Sequence, residues 1–253
     1  MLSGNTDLEG GIDISAQFYG LTLTLSKQFR HCSIARSQTS FQRSGKITRM
    51  SHPLMLASGS PYRRTLLQQL GLPFQHASPQ TDETPRAGEP ADALSLRLAS
   101  EKAQALATSY PKALIIGSDQ VASCNSKILG KPGSQQRAIE QLQTCSGQKV
   151  VFHTGLSVLN SESGEQLSGT ETFTVYFRDL SHKQIERYVA LEQPYDCAGS
   201  FRVEGLGIVL FEKLEGSDIN TLVGLPLIRL VSMLANFGVD PLDPRTVTPV
   251  AAS

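Results

Sequence analysis

The feature that most restricts this chain is the run Leu54-Met55-Leu56-Ala57-Ser58-Gly59-Ser60-Pro61-Tyr62-Arg63-Arg64. Its first four residues form a short apolar strand. Ser60 then supplies a capping oxygen, and Pro61 has the fixed φ of a first helical turn. The helix carries Leu66, Leu67 and Leu70 and stops at Gly71. A strand that feeds at once into a helix points to a mixed fold, and the rest of the chain extends the pattern.

A helix is expected from about Ala91 to Ser109, then a buried strand over Ala113–Gly117 that ends at Ser118-Asp119-Gln120. Ser134 opens another helix, closed by Gly147. Val150–Leu159 and Thr170–Phe177 read as a hairpin joined by the polar Asn160–Gly164 turn. Ser181 with Gln184 makes a capping box for a helix to about Glu192. A strand over Gly207–Phe211 and a helix from about Leu225 to Phe237 complete the pattern. Strands and helices mix without strict alternation, so the expected class is α/β with an elongated mixed β-sheet flanked by helices.

Composition narrows the function. Lys plus Arg equals Asp plus Glu at 23 each, so no global field draws in nucleic acid, and phosphate binding must be local. Every apolar run is broken before the ~20 residues that a spanning helix needs, so no membrane partner is expected. The four cysteines form no CxxC pair, the usage of a reducing compartment, and the five histidines show no ligand spacing. The first 49 residues stand apart: between Lys27 and Arg49 there are six Lys or Arg residues and no acid. This segment is expected to be a disordered or non-native extension. The alternative of a targeting presequence conflicts with Asp7, Glu9 and Asp13 at its front. The folded domain is expected over residues 50–242, with a flexible tail over 243–253.

Several residues suit phosphate chemistry. Ser58, Gly59, Ser60, Arg63 and Arg64 cluster at a helix N-terminus, where free N–H groups and the dipole favour an anion. The bland alternative is a capped surface helix with solvated arginines. Asp119, after a buried strand, can hold a metal, act as a base or cap a turn. Asp82-Glu83 in a loop suits a hard cation or simply a solvated turn. Lys102 and Lys131 add two positive charges.

These segments, with Glu101-Lys102-Ala103, Gly117-Ser118-Asp119, Gly130-Lys131-Pro132 and Ala198-Gly199-Ser200-Phe201, resemble in order and spacing the motifs of the Maf nucleotide pyrophosphatases. The resemblance runs from Met50 to Leu242. It implies a Maf/Ham (ITPase-like) fold and cleavage of a nucleoside triphosphate to the monophosphate and pyrophosphate. It also implies a divalent metal, Mg²⁺ or Mn²⁺, a cytoplasmic setting and, in many members, a homodimer. By the same resemblance Asp119 is the general base, Ser58, Ser60, Arg63, Arg64, Lys102 and Lys131 bind phosphate, and Glu83 with Asp119 holds the metal.

Tyr62, Gln120 and Glu204 fall on positions that divide the family by substrate, and here they resemble the branch acting on 7-methyl-GTP. The methylated ring is positively charged, so Tyr62 can stack on it and Glu204 can accept from the base edge while offsetting that charge. A surface aromatic and a solvated carboxylate are the bland readings of the two. The competing functions are a pyrophosphatase for dTTP, UTP or another modified nucleotide, and a non-catalytic nucleotide-binding regulator of cell division.

Overall fold

The computed structural model describes residues 52–248. The expectation of a disordered or non-native extension over residues 1–49 lies outside them. The elements are β1 (Leu54–Ala57), α1 (Pro61–Gln68), β2 (Phe74–Ala77), α2 (Ala91–Ala105), β3 (Leu114–Cys124), β4 (Lys127–Leu129) and α3 (Gln135–Cys145). They continue with β5 (Lys149–Asn160), β6 (Gln166–Phe177), α4 (His182–Glu192), β7 (Phe211–Glu215), α5 (Asn220–Val223) and α6 (Leu227–Asn236). The strands form one mixed sheet in the order β2-β1-β3-β5-β6-β7, with β4 paired to β3. β1 lies parallel to β2 and β3, and the other pairings are antiparallel. The expected α/β class and elongated mixed sheet are what is found.

Period-two alternation assigns the two faces of the sheet. Leu54, Leu56, Leu114, Ile116, Leu156 and Val158 point to one face, where α1 and α6 contribute Leu67, Leu230 and Leu234. Burying a leucine is worth roughly 1.5–3 kcal/mol, which is how a helix as short as α6 is held. Met55, Ala57 and Ile115 point to the opposite face and meet Ala103 of α2 and Leu106, which caps its end. Farther along the sheet, α3 and α4 cover a third cluster built around four edge-to-face phenylalanines: Phe152, Phe177, Phe201 and Phe211.

Two glycines bring α2 unusually close to the sheet. A Cβ at Gly117 would lie 2.0 Å from the Ala99 carbonyl oxygen, and one at Gly155 would lie 2.1 Å from that of Ser95. Ser95, Ala99 and Ala103 form a fully buried small-residue stripe along α2 at four-residue spacing, so small residues on the helix meet glycines on the strands.

The elements depart from expectation in four places. The strand expected over Gly207–Phe211 is a 3₁₀ segment, Leu206–Leu210, and β7 begins at Phe211. Gly207 and Leu210 are buried while Ile208 and Val209 are exposed, the period of three that a 3₁₀ turn imposes. β3 does not end before Asp119 but continues to Cys124. The last helix starts at Leu227, after Pro226 and a separate α5 turn that ends on Gly224 at φ 117°. Core packing passes Leu242, because Val247 is 2% exposed and joins the α1/α6 core.

Candidate active site

The site arises where β3 changes partners. β1 pairs with β3 only as far as Ala57 opposite Gly117, and β4 joins only at Ala122 opposite Leu129. Between them, Ser118–Val121 have β5 on one side and no strand on the other. A cleft of about 680 Å³ opens at this free edge. Its walls come from the β1–α1 loop, the loop before α2, the segment after β4 and the stretch around Cys197.

Alternation sends neighbouring β3 residues in opposite directions. Asp119 faces α2, in line with Ile115 and Gly117, while Ser118 and Gln120 face the α5–α6 corner. On the α2 side, Lys102 Nζ donates to Asp119 Oδ1 at 2.5 Å and lies 2.6 Å from Glu83 Oε1. Asp119 and Lys102 are 8% and 7% exposed, so their pairing lies largely out of water, where Coulomb interactions are strong. Burial pushes the Glu83 carboxyl up. The Lys102 hydrogen bond and charge, with Lys131 and Arg63, outweigh this and hold it below its ordinary value.

On the other side, Arg63 is anchored through Nε to the Gly224 carbonyl at 2.8 Å, and its Nη1 approaches Ser58 Oγ at 3.4 Å. Ser118 Oγ donates to the same carbonyl at 2.9 Å. Burial draws the Arg63 guanidinium below its usual value, opposed by the charges of Asp119 and Glu83. Ser60 caps α1 by accepting from Arg63 N, and Ser58 Oγ accepts from Ser60 N, so the loop is pre-shaped with its serines at the cleft.

The structure brings Ser58, Ser60, Tyr62, Arg63, Glu83, Lys102, Asp119, Gln120, Lys131 and Glu204 to this one cleft. Arg64 is the exception among the expected phosphate-binding residues. One position on along α1 it turns away, and its Nη1 meets His76 Nε2 on β2 at 2.8 Å. Gln120 lines the cleft with its Nε2 engaged by the Thr221 and Leu222 carbonyls and Thr154 Oγ1.

Three further residues contribute to the site, and the sequence motifs do not single out Asp196 among them. The Gly224 carbonyl holds both Arg63 and Ser118. Cys197 lines the cleft, whereas Cys124 and Cys145 lie in the core. Asp196 also lines it, held by Arg202 Nη2 at 2.8 Å, and this pairing draws its carboxyl down. Asp196 and Cys197 surround the Tyr62 hydroxyl, whose pKa is raised chiefly by burial and then by these two groups.

Glu83 and Asp119 are the residues that could hold a divalent metal. Two carboxylates converge on one cationic group, the Lys102 ammonium, and both offer hard oxygens. Among the described residues no three His, Cys, Asp or Glu gather to cage an ion. Among the described residues, no helix is long and apolar enough to cross a membrane.

The curated 7-methyl-GTP pyrophosphatase of Pseudomonas putida is 57% identical over 187 residues, covering 74% of this chain and 97% of that protein. That of Colwellia psychrerythraea is 53% identical over 189 residues, covering 75% and 94%. A solved HAM1 protein from Coxiella burnetii aligns with a TM-score of 0.44 at 14% identity, over 73% of this chain and 99% of that one. The Maf-like protein family matches residues 53–237, and the chain belongs to that family.

Proposed function

We propose that this protein is a nucleoside-triphosphate pyrophosphatase that hydrolyses 7-methyl-GTP to 7-methyl-GMP and pyrophosphate, with a divalent metal and with Asp119 as general base. The observation that carries the reading is the largely buried Asp119 at the free β3 edge, flanked by Lys102 and Glu83 and sharing its cleft with Ser58, Arg63 and Lys131. A binding protein has little use for a carboxylate beside three phosphate-directed cations. The substrate assignment draws on relatives named for 7-methyl-GTP at 53–57% identity over nearly their whole length.

In this mechanism the triphosphate lies along the β1–α1 loop, with Arg63, Lys102 and Lys131 against its oxygens. Asp119 takes a proton from a water attacking the α-phosphorus in line with the departing pyrophosphate. The fixed cations stabilise charge as it grows on the leaving group, without reorganising. Glu83 and Asp119 would hold the metal, which when bound supplies further charge withdrawal from phosphate oxygens. Tyr62 packs against the cationic base, and Glu204 accepts from its edge. The free thiols of Cys124, Cys145 and Cys197 suit a reducing cytoplasm, where we place the reaction.

Product analysis tests the reaction class. Purified protein with Mg²⁺ and 7-methyl-GTP is expected to yield pyrophosphate and the monophosphate in equal amounts. Release of inorganic phosphate and the diphosphate would put the attack at the γ-phosphorus and remove Asp119 from the assigned role.

A further inference from the structure

The loop that brings Glu83 to the cleft, Ser78 to Pro90, contains neither helix nor strand. Glu83 itself is half out in solvent, its side chain 58% exposed, and the contact it makes is with Lys102. Something else must fix its position. Among the described residues, the side-chain ties from this loop to the rest of the protein all land on α2, and most converge on Arg97.

The Arg97 guanidinium uses its whole fork. Nε and Nη2 engage the Glu89 carboxylate at 2.7 and 2.8 Å, and Nη2 also reaches the Thr84 carbonyl at 3.1 Å. Nη1 donates to Glu101 at 3.0 Å, and Glu101 in turn accepts from Arg86 at 3.3 Å. Glu89 also accepts from the Arg86 backbone N–H at 2.9 Å. The Arg97 and Glu89 side chains are 14% and 10% exposed, and a two-pronged pair screened from water in this way is far firmer than a solvated surface pair. Arg97 does not line the cleft.

We propose that Arg97 is a positioning residue: it clamps the Glu83 loop, through Thr84 and Glu89, onto the helix that carries Lys102, and so sets the Glu83–Lys102–Asp119 geometry. The proposal rests on the pyrophosphatase reading for its effect on turnover, but the clamp can be detected without it. α2 is held on the sheet by Leu94, Leu98, Ala99 and Ala103, all buried. Loss of Arg97 therefore frees the loop and leaves the fold standing. Lysine is a poor substitute, since one ammonium cannot serve Glu89, Thr84 and Glu101 in the planar geometry of the fork.

The test compares wild type, Arg97→Gln, Arg97→Lys and Glu89→Gln by amide hydrogen exchange and by 7-methyl-GTP kinetics. Expected are faster exchange confined to the loop amides around residues 80–89, unchanged protection in β3 and β5, and a roughly tenfold to hundredfold loss of kcat/KM in Arg97→Gln. Arg97→Lys falls between. Because Arg97 acts through Glu83, adding Arg97→Gln to Glu83→Gln costs little more than Glu83→Gln alone. Unchanged loop exchange, exchange that accelerates throughout the sheet, or fully additive losses would overturn the clamp. A wild type without turnover on any nucleotide would instead sink the functional reading, and the exchange pattern would still decide the clamp.

Discussion

Gly117→Ala tests how backbone packing builds the catalytic pair. The added Cβ would lie 2.0 Å from the Ala99 carbonyl oxygen and 2.9 Å from the Ala103 nitrogen, both backbone atoms that cannot rotate aside. Carbon–oxygen contacts settle near ~3.3 Å, so α2 must retreat by roughly 1.3 Å. Lys102 rides on α2, and its 2.5 Å contact with Asp119 then opens to about 3.8 Å, beyond hydrogen-bond reach. Overpacking of this kind costs about 1–3 kcal/mol. A misplacement of that size next to the chemistry costs on the order of a hundredfold in rate. The assay pairs thermal unfolding with kcat/KM on 7-methyl-GTP. Gly155→Ala, which pushes the same helix at Ser95, is expected to give a similar loss, and the two together less than the sum. Wild-type stability in Gly117→Ala would refute the close approach of α2. A destabilised variant with undiminished kcat/KM would refute the link from that packing to the Lys102–Asp119 pair.

Other outcomes follow from the same geometry. Glu204→Gln should raise KM for 7-methyl-GTP by about tenfold or more, the value of a charge-assisted hydrogen bond, while leaving residual hydrolysis of a pyrimidine triphosphate unchanged; equal losses on both would remove Glu204 from base recognition. Chelation of divalent ions should stop turnover reversibly, and undiminished rates in excess chelator would remove the metal from the account. Glu83 has a depressed carboxyl, so its pairing with Lys102 is intact above the ordinary carboxylate range and is lost only as pH falls through the depressed value. In a carbon-detected NMR titration Glu83 should titrate below its ordinary value of 4.5, and Lys102→Met should move it upward because burial then acts with less opposition. A Glu83 that titrates at or above that value in the wild type would contradict the pairing. Arg64→Ala, which breaks a contact with His76 outside the cleft, should change kcat/KM by less than Arg63→Ala does; the reverse order would show that Arg64 swings into the site.

Much of this site could be read from local patterns. The strand, capped turn and helix start around Ser60 are local in sequence, and so is the placement of Ser58 and Arg63 at the helix end. Long-range features could not be read in the same way. Asp119 was expected to end a strand because Ser118 and Gln120 interrupt an apolar run. The strand instead continues, and it is the partner β1 that stops, a fact about pairing that no window on β3 contains. Arg63 and Arg64 are equivalent in composition and separated only by the ~100° turn between adjacent helical residues, which sends one to Gly224 and the other to His76. The apolar stretch Leu206–Leu210 has the composition of a strand, but its burial repeats every three residues. The Arg97 clamp depends on a loop folding back over a helix, and charge spacing along α2 gives only its i,i+4 partner Glu101.

The most direct test of the central claim is pyrophosphate release by the purified protein with Mg²⁺ or Mn²⁺ across 7-methyl-GTP, GTP, dTTP, UTP and CTP, beside Asp119→Asn. A marked preference for 7-methyl-GTP is expected, with turnover falling by about 10²–10⁴-fold in Asp119→Asn while nucleotide binding persists. A preference for dTTP or UTP would contradict the substrate assignment, and wild-type turnover by Asp119→Asn would contradict the mechanism.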